Sequence, residues 1–238
     1  METNKEIALR IISEYEREYK STKYVLIDNH SKTTNVIFTG ASQKYYNMIS
    51  WYHTYTDYNW LYLNPICEAS EPHFVLFMMT NGQMKGQRTY DDLFLEIIKS
   101  APGDMYNLIG ISYGGAAAIA FSKRVPTRAV ITLDYANIFN YVDWDLPDIL
   151  QDNTSLFFLH YSSHPHDIAR HDVLIKCLQK TKIQYMLKCS QCDIHSTNVP
   201  NHHLIVSYIK AAERITSDEC DVVMKNVTYL GGDFHAWT

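Results

Sequence analysis

The sequence predicts a single α/β domain built on a mostly parallel sheet with helices on both faces. Short apolar runs alternate along the chain with helical segments of roughly ten to fifteen residues, the order typical of strands joined by crossover helices. Several runs are apolar at almost every position, as expected for strands that are buried on both sides. The 238 residues contain no internal repeat and no linker, so we assign residues 1–238 to one domain.

The first half of the chain opens with a predicted helix. Ile7 and Tyr15 belong to a set of apolar positions at helical spacing, which predicts an amphipathic helix over residues 5–20. Apolar runs that stop at turn residues predict strands over residues 24–28, 35–39 and 60–63. The run over residues 73–79 fits either a strand or a helix, and the spacing over residues 89–99 predicts a helix.

The second half of the chain repeats the alternation more regularly. A strand over residues 106–111 leads at once into an Ala-rich helix over residues 112–121. Further strands are predicted over residues 128–133, 155–160, 183–188 and 221–230. Further helices are predicted over residues 168–180 and 202–215. The acidic, aromatic segment 137–153 predicts a small insertion over the sheet.

The composition excludes several classes of protein. Hydrophobic residues make up 46% and charged residues 20% of the chain, which excludes disorder as the dominant state. The net charge of -5, without a basic stripe, argues against nucleic-acid binding. The amino terminus lacks the apolar region of a signal peptide, and no apolar run approaches the roughly 18 residues that cross a bilayer. We therefore expect a cytoplasmic protein without a transmembrane segment, whose five cysteines are reduced.

The segment Gly110-Ile-Ser112-Tyr-Gly114 is the most informative motif. It follows an apolar strand and precedes a helix of small residues, the context in which a G-x-S-x-G turn presents a serine nucleophile. Glycines at both flanking positions allow the tight, strained turn that exposes the hydroxyl at the carboxyl end of the sheet. The helix behind it points N–H groups toward a developing oxyanion. The alternative is an ordinary Gly-rich turn in which Ser112 caps the helix.

This organisation resembles the α/β-hydrolase superfamily, in which the catalytic partners follow in the order serine, acid, histidine. The resemblance implies a general base a few residues past the last core strand, and His195 fits that spacing better than His202 or His203. It implies an acid after the preceding strand. Asp167 is the carboxylate in that loop and our prediction, with Asp134 after the strand 128–133 as the alternative.

The resemblance also implies an oxyanion hole with two backbone donors. One is the N–H of Tyr113, which follows the nucleophile. The other comes from the loop after an early strand, where Gly40 allows the chain to turn and to aim the N–H of Ala41 inward. An ordinary turn at this position is the alternative.

Within the superfamily, the chain is similar to bacterial capsular polysaccharide O-acetyltransferases. The likeness lies in the aromatic segment 43–64, in the turn that ends in Gly114-Gly115, and in the order of elements from Ser155 to His195. It departs at the acid, where His164-Pro-His166 precedes Asp167. The resemblance implies acetyl-CoA as donor, a surface polysaccharide as acceptor and an acetyl-Ser112 intermediate. An esterase acting on a small ester is the alternative function.

The sequence also allows two functions that do not involve serine catalysis. Cys189-x-x-Cys192-x-x-His195, with His202 or His203, has a spacing that a tetrahedral zinc site uses, and such a site would remove His195 from catalysis. A catalytically inactive α/β-hydrolase fold would instead serve as a scaffold. The prediction of serine chemistry assigns no metal. The sequence does not predict the oligomeric state.

Overall fold

The structure is a computed structural model that describes residues 2–20, 22–40, 46, 48–52, 54–63, 90–134, 145–190 and 202–215. In these parts of the chain the strands are β1 (Glu16–Tyr19), β2 (Thr22–Ile27), β3 (Thr33–Phe38), β4 (Asn59–Leu63), β5 (Met105–Ile111), β6 (Thr127–Leu133), β7 (Leu156–Ser162) and β8 (Tyr185–Ser190). The helices are α1 (Asn4–Tyr15), α2 (Ile49–Tyr52), α3 (Tyr90–Ser100), α4 (Tyr113–Phe121), α5 (Leu146–Leu150), α6 (Pro165–Leu178) and α7 (His202–Arg214).

The eight described strands form one sheet with a parallel centre. Their order across the sheet is β1-β2-β4-β3-β5-β6-β7-β8. Strands β3 to β8 run parallel to one another, whereas β2 pairs antiparallel with both β1 and β4. The predicted α/β class with a mostly parallel sheet is therefore confirmed. The parallel strands all end at one edge of the sheet, which we call the carboxyl edge; their other ends form the amino edge.

Two apolar layers cover the sheet. On one face, α3, α4, α5 and α6 pack against alternate strand residues, and Phe121 stacks on Phe38 of β3. On the other face, α1, α2 and α7 do the same, and Tyr208 of α7 stacks on Phe158 of β7. Because both faces are covered, the central strands are apolar at nearly every position, which is the pattern read from the sequence.

Helix α1 is shorter than predicted. It covers Asn4–Tyr15, with Thr3 and Glu6 forming a capping box at its start, and Glu16 then turns to an extended conformation. Residues Glu16–Tyr19 form β1, which pairs antiparallel with β2. The prediction of helix up to residue 20 was wrong because tertiary pairing at the sheet edge overrides the helical preference of Glu and Arg.

The structure describes the second part of the predicted insertion 137–153. Residues 135–144 lie outside the described residues, and with them the first part of the predicted insertion. Helix α5 begins at Leu146 and contacts α4 and α6, and its Leu150 is fully buried in the core. The predicted elements over 73–79 and 221–230 also lie outside the described residues.

Helix α6 begins three residues earlier than predicted. Pro165 occupies its first turn, where the missing N–H costs no hydrogen bond. The ring of His164 caps this end by accepting from the N–H of His166 at 3.3 Å. In the part of the chain that the structure describes, no helix has the length and apolar character required to span a membrane.

Candidate active site

Ser112 lies at the carboxyl edge, directly between β5 and α4. Its backbone is in a conformation that non-glycine residues rarely adopt, with φ 53° and ψ −117°. The N–H of Ser112 donates to the carbonyl oxygen of Leu133 at 2.8 Å, and its own carbonyl oxygen accepts from the N–H of Gly115 at 3.0 Å. The turn is therefore fixed by the neighbouring strand on one side and by the first turn of the helix on the other.

The glycines of this turn allow backbone to pack against backbone. A Cβ atom on Gly110 would overlap the carbonyl group of Gly114, and one on Gly114 would overlap the carbonyl oxygen of Phe38 in β3. A Cβ atom on Gly40 would lie only 3.0 Å from the carbonyl oxygen of Ile111. The loop after β3 thus passes directly beside the Ser112 turn, as the predicted oxyanion loop requires.

Substitution of Gly114 by alanine is expected to destabilise the protein. In an unconstrained helix, this change stabilises by about 0.5–1 kcal/mol. Here the added methyl meets the backbone of β3, and overpacking of this kind costs about 1–3 kcal/mol. Chemical denaturation of Gly114→Ala and of the parent chain measures the free energy of unfolding of each, and we expect a lower value for the variant. A variant as stable as the parent would contradict the tight contact.

Asp134 lies at the same edge, immediately after β6. It follows Leu133, the residue whose carbonyl oxygen holds Ser112, and its own N–H donates to the carbonyl oxygen of His160 at 2.8 Å. Its φ of 46° turns the chain out of the strand, a conformation that Asp tolerates better than most residues. The side chain is buried, and Oδ1 accepts from the N–H of Ser162 at 2.6 Å.

Asp167 lies in the first turn of α6 and is fully buried. Its Oδ2 accepts from the hydroxyl of Ser162 at 2.6 Å, and its Oδ1 lies 3.6 Å from Nη1 of Arg170. The same hydroxyl of Ser162 accepts from the N–H of His164 at 3.2 Å. Ser162 therefore contacts both candidate acids, one through its backbone and one through its side chain. The sequence prediction missed it, although its place at the end of β7 was a usable signal.

Two predicted site residues lie outside the described residues, namely His195 and Ala41. Strand β8 ends at Ser190 beside β7, so the chain leaves the sheet at the carboxyl edge five positions before His195. Tyr113 is the first residue of α4 and directly follows Ser112, as predicted. Of the rival bases, His203 is exposed on α7 and shares a 2.9 Å hydrogen bond with the hydroxyl of Tyr55.

The comparisons with known proteins agree on the architecture. No protein-family profile and no curated protein matches the sequence. Among solved structures, a capsule O-acetyltransferase of Neisseria meningitidis serogroup A, crystallised with CoA, superposes with a TM-score of 0.59 at 12% identity, over 83% of this chain and 94% of that one. A predicted CIB-like hydrolase of Thermoplasma acidophilum gives 0.57 at 11% identity, over 83% and 96%. The fluorophosphonate-binding serine hydrolase F of Staphylococcus aureus gives 0.56 at 11%, over 83% and 95%.

The chain has the α/β-hydrolase fold. The three solved structures each superpose on 83% of it. Both candidate acids, Asp134 and Asp167, precede His195 in the sequence, which is the order that the resemblance implies. At identities of 11–12%, these likenesses show the fold alone.

Four aromatic residues in the described part of the segment that follows β3 are buried. Trp60 and Tyr62 are fully buried in β4, and Tyr46 and Tyr58 are nearly so. These four rings pack in the core under α1, α2 and α7, which excludes them as surfaces for stacking sugars. Tyr55, in contrast, is partly exposed.

The possible zinc site is only partly covered by the structure. Cys189 is a partly buried cysteine near the end of β8, whereas Cys192 and His195 lie outside the described residues. Among the residues that the structure does describe, no group of three or more His, Cys, Asp or Glu side chains is arranged to hold a metal ion. Burial, together with the charge of Asp134, raises the pKa of the Cys189 thiol.

A cavity of about 1130 Å³ opens at the amino edge of the sheet, at the opposite ends of the strands from Ser112. Its lining includes the first residues of β5, β6 and β7 and the segments that follow α5 and α6. Because ligands of parallel sheets bind outside the carboxyl ends of the strands, this cavity does not mark the serine site.

His160 in β7 makes the stability sensitive to acid. Burial, and secondarily the charges of Lys188 and His171, lowers the pKa of His160 from 6.5 to about 4. The unfolded chain therefore takes up a proton at this position before the folded chain does. The stability that depends on a neutral His160 is therefore fully present above pH 6.5 and is lost as the pH falls toward 4.

Replacement of His160 by glutamine is expected to flatten that pH dependence. The parent chain should lose on the order of 3 kcal/mol of unfolding free energy through this group between pH 6.5 and 4. Urea denaturation of His160→Gln and the parent at several pH values measures the difference in slope. Exposed His166→Gln is the matched control and should leave the slope unchanged. Parallel curves for the parent and His160→Gln would contradict the shifted pKa.

Proposed function

We propose that the chain is a serine-dependent acyl-transfer enzyme that works through an acyl-Ser112 intermediate. The backbone of Ser112 is the observation that carries this proposal, because a left-handed φ of 53° at a non-glycine residue costs about 1–3 kcal/mol. The strained turn lies where parallel sheets bind ligands and leads into a helix amino terminus. The fluorophosphonate-binding serine hydrolase among the solved structures of this fold supports the same chemistry.

The first half-reaction acylates the serine. The Ser112 oxygen attacks the acyl carbonyl carbon while its proton passes to the imidazole of His195. The N–H groups of Tyr113 and Ala41 donate to the oxyanion of the tetrahedral intermediate. When this intermediate collapses, the bond to the leaving group breaks, and the leaving group departs with the proton from His195. A buried carboxylate, Asp167 or Asp134, orients the imidazole and stabilises its charged form.

The second half-reaction passes the acyl group to an acceptor hydroxyl. We take acetyl-CoA as the donor, so CoA thiol leaves in the first step, and a hydroxyl of a bacterial capsular or surface polysaccharide attacks acetyl-Ser112 in the second. His195 removes the acceptor's proton and returns it to the Ser112 oxygen. The CoA complex of the capsule O-acetyltransferase, which shares this fold, supports this choice.

An esterase is the second candidate function. Water then takes the place of the sugar hydroxyl, and the acyl group leaves as the free acid. The solved structures that share the fold include Est1E of Butyrivibrio proteoclasticus and an esterase B inhibited by a phosphonate, which favour this alternative.

Acceptor dependence separates the two functions. The purified chain is incubated with acetyl-CoA, with and without a panel of bacterial polysaccharides, and the release of CoA thiol is followed. A transferase releases thiol only when its polysaccharide is present, and the acetyl group appears on the glycan. Hydrolysis of p-nitrophenyl acetate without glycan acetylation identifies an esterase. Stoichiometric zinc in the purified protein would instead support the zinc site and remove His195 from this scheme.

A further inference from the structure

The two residues that follow β3 lie between the end of β4 and the turn that holds Ser112. Strand β3 runs between β4 and β5, and its last residue, Phe38, pairs with Leu63 of β4 and with the end of β5. Thr39 and Gly40 are the first residues beyond these pairs, and both are buried. They therefore continue the centre of the sheet at its carboxyl edge.

Thr39 is fixed to β4 by two hydrogen bonds to one oxygen atom. Its N–H donates to the carbonyl oxygen of Leu63 at 3.3 Å, and its hydroxyl donates to the same oxygen at 3.1 Å. Thr39 and Leu63 are each 1% exposed, so both bonds lie in the interior, where a hydrogen bond is stronger than in water. The backbone bond is longer than a typical N–H···O bond, so we assign much of the attachment to the hydroxyl.

The other side of the segment Phe38–Gly40 packs against the Ser112 turn. A Cβ atom on Gly114, in the first turn of α4, would overlap the carbonyl oxygen of Phe38 and would lie 3.1 Å from that of Thr39. A Cβ atom on Gly40 would lie 3.7 Å from Cβ of Ser112, which is ordinary van der Waals contact. The segment therefore lies against the turn both at Ser112 and at Gly114.

We infer that Thr39 is a positioning residue for Ser112 and that it acts through the segment Phe38–Gly40. The inference rests on the proposed role of Ser112 as the nucleophile. The strained turn is held from the β6 side by the hydrogen bond to Leu133, and the attached segment supports it from the β3 side. The hydroxyl of Thr39 thus fixes the position of backbone that is in contact with the nucleophile.

Replacement of the hydroxyl by a methyl group moves this segment. Valine has the branched shape of threonine, but its methyl group cannot donate to Leu63. A methyl group at 3.1 Å from a carbonyl oxygen is also too close, so the segment must move away from β4, on the side of the Ser112 turn. Because misplacement of a reacting group by about 1 Å costs about a hundredfold in rate, a shift of about half that distance should cost roughly tenfold.

Thr39→Val and Thr39→Ser separate the hydroxyl from the rest of the side chain. We expect Thr39→Val to lower both kcat for p-nitrophenyl acetate and the rate of fluorophosphonate labelling of Ser112 about tenfold, with KM within about twofold of the parent value. Thr39→Ser keeps the donor to Leu63 and should bring both rates within about threefold of the parent. A role limited to stability would lower the melting temperature and leave the rates of the folded variant unchanged.

Thr127→Val is the matched control. The hydroxyl of Thr127 donates to the carbonyl oxygen of Val125 at 3.0 Å, so it makes the same kind of bond as that of Thr39. Thr127 is the first residue of β6 and lies at the amino edge, at the opposite ends of the strands from Ser112. Its replacement should leave kcat and the labelling rate within about twofold of the parent.

A second comparison decides the inference if Thr39→Val fails to fold. Thr39→Ala and Thr39→Ser both lack the methyl group of threonine, and only serine keeps the hydroxyl. Thr39→Ala should therefore have the lower kcat and the slower labelling, by about fivefold or more, at similar KM. Thermal melts confirm that each assayed variant is folded.

The outcomes distinguish failure of this inference from failure of the proposed function. Parent kcat and labelling rate in folded Thr39→Val, equal rates in Thr39→Ala and Thr39→Ser, or a loss confined to KM overturns the inference while turnover that depends on Ser112 stands. A parent chain that is not labelled at Ser112 and turns over no faster than Ser112→Ala overturns the proposed function, and the inference with it.

Discussion

Alanine at position 112 is expected to lower kcat/KM by a factor of about a thousand or more, whichever acceptor the enzyme uses. The substitution removes the attacking oxygen, and residual turnover comes only from binding and from the oxyanion donors. The fold should persist because the turn is held by backbone bonds to Leu133 and Gly115, neither of which involves the hydroxyl.

Turnover of p-nitrophenyl acetate and covalent labelling by a fluorophosphonate measure this effect together. The parent chain should be labelled at Ser112, and the alanine variant should not. Ser207→Ala is the matched control, since Ser207 is exposed on α7 and its hydroxyl donates to the carbonyl oxygen of His203 in the same helix. An alanine variant at position 112 that is folded and still turns over at the parent rate would refute the assignment of the nucleophile.

Loss of the His195 imidazole should be about as damaging. Serine is a weak nucleophile at neutral pH, so without a base to accept its proton the rate should again fall about a thousandfold or more. His203→Ala is the matched control. That ring is exposed and hydrogen bonds to Tyr55, so its removal should leave kcat/KM within about twofold.

The same pair of variants discriminates among the bases. An active His195→Ala together with an inactive His203→Ala would instead identify His203 of α7 as the general base. Added imidazole provides a further check, because a small base that enters the space left in His195→Ala should restore part of the rate, whereas it has no oxygen to activate in Ser112→Ala.

The architecture was predictable because its signals are local. Continuous apolar runs marked the parallel strands of the centre, and the G-x-S-x-G turn was readable because Gly110 and Gly114 fill places that no Cβ atom fits. Strand β1 was not readable. Its sequence, Glu-Arg-Glu-Tyr, has helical preference, and only pairing with β2 makes it a strand.

The acid was the hardest part of the site to read. Asp134 and Asp167 each follow a strand, and sequence spacing alone does not decide which of them is the acid. In the structure, the backbone N–H of Ser162 donates to Asp134 and the hydroxyl of Ser162 donates to Asp167. Such facts arise from tertiary packing between β6, β7 and α6, and no periodicity in the chain encodes them.

The amino edge of the sheet offers a practical use. Lys180 and Lys182 line the cavity there, at the opposite ends of the strands from Ser112. Reagents attached to those two amines would leave the catalytic end pointing away from the attachment point. Tethering the enzyme to a bead or a sensor surface through that edge would therefore keep its reactive end open to bulky polymers.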